Sequence, residues 1–69
     1  MQKGIIKWFC EHEGLGIIES LDNPFCFSLK DFTGELKEGL AVTFEATSKK
    51  ISIHDQLMSV ALNVTSDLK

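Results

Sequence analysis

Five short runs of strand-forming residues, separated by turn clusters, have to share one core in a chain of 69 residues. "GIIKWFC" (4–10) is rich in β-branched and aromatic side chains, and "LGIIES" (15–20) follows the polar "EHEG". The turn cluster "LDNP" leads into "FCFSL" (25–29), which puts Phe25, Phe27 and Leu29 on one face and Cys26 and Ser28 on the other. "LAVTFEAT" (40–47) alternates in the same way, with Leu40, Val42 and Phe44 together. The fifth run is "LMSVALNV" (57–64). Its Leu57, Val60, Ala61 and Val64 also fit a helical spacing, but β-branching at 60 and 64 favours a strand. "KDFTGELKEG" reads as a loop with one helical turn, and "TSKKISIHDQ" (47–56) as a longer polar connection in which "ISI" forms a short extra strand.

The length allows a single domain, 1–69. A domain of this size buries only about 60% of the surface its unfolded chain exposes, so its core is small. Five short strands cannot make two good sheets here. The expectation is all-β: a small five-stranded antiparallel barrel, closed or partly open, which hides most strand edges.

Composition then narrows the function classes. The chain is 43% hydrophobic and 25% charged, as a globular protein is. Ten acidic residues against seven lysines and no arginine give a net charge of −3, which exerts no long-range pull on nucleic acid or an anionic membrane. Polyanion binding would have to rest on a local patch. Cys10 and Cys26 make neither a disulfide framework nor, with His12 and His54, a zinc spacing. No signal peptide or membrane-length apolar run is present, so a reduced, cytoplasmic protein without a membrane partner is expected. No acid pair or Ser/His/Asp arrangement suggests catalysis, and neither cofactor nor metal is expected.

"EGLGII" (13–18) sharpens the question of function, because paired glycines inside a strand mark a bulge or a close approach by backbone or ligand. Together with "KGIIKWF" (3–9), it resembles the start of bacterial cold-shock proteins, small five-stranded OB-fold barrels. That family pairs a strand ending in "KWF" with a ribonucleoprotein-1-like "KGFGFI" and a third-strand "VFVH". "KEGLAVTFE" (37–45) and "ALNV" (61–64) are similar to its later segments, so the resemblance spans Lys3 to Glu45 and, more loosely, the last strand. It implies binding of single-stranded RNA or DNA, with exposed aromatics stacking bases and lysines meeting phosphates.

The carry-over is uneven. Lys7, Trp8 and Phe9 match family positions. Glu13 reverses the charge of the motif lysine, and Leu15 and Ile17 replace its two stacking phenylalanines. With Phe25 and Phe27 inward, Cys26 stands where the exposed Phe would be and Ser28 where the His would be; a slip by one residue would turn the apolar face outward. The expected interface is therefore Lys7, Trp8, Phe9, Leu15, Ile17, Cys26 and Ser28, with affinity reduced by the lost rings.

Two readings follow. In one the chain is a single-strand-binding module of cold-shock type. In the other it has given up nucleic acid and presents Leu15, Ile17 and Cys26 as an aliphatic surface for protein contact or self-association. That surface is exposed unless the 47–56 connection or the C-terminal tail folds over it.

Overall fold

The computed structural model describes residues 1–21 and 23–67. Strand β1 (Gln2–Cys10) turns into β2 (Leu15–Glu19), which is followed by β3 (Pro24–Ser28). A single 3₁₀ turn (Leu29–Asp31) and a two-residue strand, β4 (Phe32–Thr33), precede the long strands β5 (Ala41–Ile53) and β6 (Gln56–Ser66). The first three strand runs fall within two residues of their expected bounds. Asp22 of the turn cluster and the last two residues of the tail lie outside the described residues.

The strands form one sheet in the order β3-β2-β1-β5-β6-β4. A short parallel pairing, Phe25 with Ser59 and Cys26 with Val60, also joins β3 to β6. Strands β1, β2, β3, β6 and β5 therefore make a closed circuit of neighbours, antiparallel everywhere except β3–β6. Inside it lies the main core of Ile6, Ile18, Phe25, Phe27, Leu40, Val42, Phe44, Ala61 and Val64. The alternation expected for "FCFSL" and "LAVTFEAT" supplies five of these nine residues. Burying each such side chain contributes about 1.5–3 kcal/mol.

Gly16 lies opposite Phe27 in the β2–β3 ladder. A Cβ there would come within 2.6 Å of the Phe27 ring, so the missing side chain is a notch that the ring fills. Gly14 serves geometry instead: its φ of +71° closes the tight turn after β1, with its amide donating to the Cys10 carbonyl at 2.9 Å.

The expected polar connection over 47–56 is a strand hairpin. β5 continues through it to Ile53, and β6 starts at Gln56. His54 and Asp55 form the two-residue turn with φ of 51° and 64°, the left-handed values whose twist suits a tight hairpin. The chain reaches them through an irregularity. Between the pairs Ala46–Ala61 and Lys50–Ser59, β5 has two more residues than β6. Thr47 bridges the gap, its Oγ1 donating to the Val60 carbonyl at 2.8 Å and accepting from the Lys49 amide at 3.3 Å. Beyond this point Ile53 and Met58 pack with Cys26 into a second small core, flanked by Leu15, Ile17, Ile51 and Val60. The end of the hairpin thus covers the outer face of β2 and β3.

Candidate nucleic-acid interface

The outer face of β1 owes its character to one bulge. Ile6 pairs with Ile18 and Trp8 pairs with Ile17, leaving Lys7 as the extra residue between them. Strict alternation would put Trp8 on the same side as Ile6, inside the core. The bulge instead lets Lys7 and Trp8 line the same surface groove and returns Phe9 to the inside.

That groove encloses about 900 Å³ and is open to solvent. Lys3, Ile5, Lys7 and Trp8 come from β1, while Ile17 and Glu19 come from β2. Gln56 and Met58 of the hairpin contribute to the opposite wall. Both lysines have acidic neighbours: Lys3 Nζ lies 3.9 Å from Asp67 and Lys7 Nζ lies 3.5 Å from Glu19. Both pairs are open to solvent, and such surface pairs are worth about 0–1 kcal/mol, so they hold the two ammonium groups only weakly. Trp8 is half-buried, and His54 at the hairpin turn meets it edge-on with ring centroids 5.1 Å apart. The same histidine is 3.7 Å from Glu13.

The residues expected at the interface separate into two groups. Lys7 is exposed and Trp8 partly so, both in the groove. Phe9 is not on the surface face; it packs against the main core because the bulge shifts it inward. Leu15 and Ile17 are half-buried beside the hairpin end, with Ile17 still lining the groove, so of the two arrangements left open for the aliphatic patch the one in which the 47–56 connection folds over it is found. Cys26 is 0% exposed, against the expectation of a surface residue. The register of β3 is the expected one, but the outward face is roofed by Ile53 and Met58. Ser28 caps the 3₁₀ turn, its hydroxyl accepting from the Lys30 amide at 3.3 Å. Sequence reasoning gave Lys3 no binding role and passed over Glu19, Gln56 and Met58, which reach the groove through strand pairing and carry no local motif.

Burial pushes the Cys26 thiol above its ordinary value of 9.0, and its Sγ–H donates to the Ser59 carbonyl at 3.5 Å. Ionisation therefore favours the unfolded chain, and stability falls as pH rises past 9.0. Cys10 is half-buried and free. In the native protein iodoacetamide is expected to modify Cys10 while Cys26 reacts only after unfolding, as read by mass spectrometry.

Among the described residues no cluster of three or more His, Cys, Asp or Glu is placed to hold a metal ion, and no helix is long and apolar enough to cross a membrane. Compared with protein-family models and with curated protein sequences, the chain finds no match in either.

Proposed function

We propose that this chain is a single-stranded nucleic-acid-binding module on a small five-stranded OB-fold barrel of cold-shock type. The observation that carries the reading is the groove in which Lys3, Lys7 and Trp8 share one wall. An indole offers a π-face to any base, worth about 1–3 kcal/mol per base, and two ammonium groups beside it offer contacts to the flanking phosphates. The closed circuit β1-β2-β3-β6-β5 supports the barrel, and the "KGIIKWF…EGLGII" resemblance supports the family. Binding is weak, because Leu15, Ile17 and Cys26 offer no rings and Glu13 and Glu19 lie near the phosphate path.

The test is a titration of oligo-dT and oligo-U at low and moderate salt, following Trp8 fluorescence. Quenching at tens of micromolar protein in low salt is expected, whereas its absence refutes the reading. The salt dependence is shallow: at ~0.7 per phosphate contact on a single strand, two lysines give a log–log slope of about −1.4. Lys7→Ala lowers that slope by about half without altering base preference. Glu19→Gln frees Lys7 and removes a negative charge from the groove, so it raises affinity by up to about fivefold at low salt.

A further inference from the structure

We infer that the end of the β5–β6 hairpin shortens the binding surface, so that this module takes a stretch of no more than about four nucleotides with a single stacked base. The inference rests on the proposed function and deepens it. Outward residues of β1, β2 and β3 would otherwise form one continuous strip. Cys26, at the centre of β3, is buried beneath Ile53 and Met58. The strip is thereby broken into two hollows that share no lining residue.

One is the groove of Lys3, Lys7 and Trp8, and the other is a smaller hollow of about 360 Å³. Leu15, Ile51, Val60 and Leu62 supply the second hollow's apolar lining, and Ser28 and Lys49 are beside them. Among the described residues it has no ring exposed for stacking: Phe27, which also borders it, is 1% exposed and belongs to the main core. A strand lying along β1 meets one indole and two lysines before the hairpin stops it. Lys3 and Lys7 are four residues apart on a strand, about 13 Å at ~3.3 Å per residue. Even at the fully stacked advance of ~3.4 Å per nucleotide, the span holds no more than about four of them. Asp67 beside Lys3 sets an acidic boundary at that end.

Length dependence decides the matter. Oligo-dT of about two, four, eight and twelve nucleotides is titrated against the intact protein. Once the larger number of binding registers on longer strands is divided out, affinity is expected to stay within about twofold from four nucleotides upward. Affinity that keeps climbing with every added nucleotide overturns the short site while leaving nucleic-acid binding in place. Failure of every length to bind removes the proposed function and this inference with it. Amide chemical shifts recorded with the four-nucleotide strand give an independent readout. Perturbations confined to Lys3–Trp8, Gln56 and Met58 support the divided face, and perturbations at Ser28, Ile51 and Leu62 overturn it.

Discussion

Trp8→Ala is expected to lower affinity for single-stranded oligonucleotides by roughly one to two orders of magnitude, the equivalent of ~1–3 kcal/mol of lost base stacking. The effect is concentrated in one residue because, among the described residues, Trp8 is the only aromatic side chain lining the groove. The phenylalanine rings are engaged elsewhere: Phe25, Phe27 and Phe44 are buried, and Phe9 and Phe32 pack against them. The substitution leaves the main core intact, since the β1 bulge directs the indole away from it. Its chief internal loss is the edge contact with His54 at the hairpin turn. Because the variant has no tryptophan, binding is followed by anisotropy of a labelled strand, and circular dichroism confirms the fold. Unchanged affinity in a folded Trp8→Ala protein would place the binding surface elsewhere.

Phe27→Ala removes most of the stability of the domain. Truncating a buried phenylalanine typically costs ~3–5 kcal/mol, and a chain of this length has only about 3–10 kcal/mol in total. Phe27 is 1% exposed, fills the notch at Gly16 and lies 6.2 Å from the Phe32 ring. Its loss leaves a cavity that neither β2 backbone nor the two-residue strand β4 can close. Gly16→Ala attacks the same contact from the other side, because the added methyl meets the ring at 2.6 Å with backbone on its far flank. Urea unfolding checks both variants. A midpoint for Phe27→Ala close to that of the parent would mean that the β2–β3 ladder does not have the register described above.

The fold was legible where the governing signal is local. Alternation placed Phe25, Phe27, Val42 and Phe44 inside, and a one-residue slip at β3 is excluded by the apolar face it would expose. The hairpin over 47–56 was less legible, although "KISI" alternates. His54–Asp55 is an uncommon pair for a tight turn, where asparagine–glycine is the usual signal, and the polar run of Thr47 to Lys50 reads as a loop. That run is polar because it is a bulge on a strand edge, its irregular backbone tied by the Thr47 hydroxyl.

The site shows the same division more sharply. Residue types alone gave a lysine, a tryptophan and a glycine pair suited to a binding strand, together with aliphatic residues that suit it poorly. Those aliphatic residues have an explanation in the second core: Leu15 and Ile17 are packed against by a hairpin that lies more than thirty residues further along the chain.

Sequence by itself therefore determined the first three strands and the inward faces of β3 and β5, because side-chain alternation is a property of the residues where they stand, whereas the need for glycine at 16 comes from the Phe27 ring that the β2–β3 register sets against it. Tertiary structure alone decided that Trp8 faces the groove and Phe9 the core, that Cys26 is roofed, and that Lys3 shares a wall with Lys7. Each of these depends on a bulge or on register between strands, which is settled by how two distant segments pack and is written in neither of them.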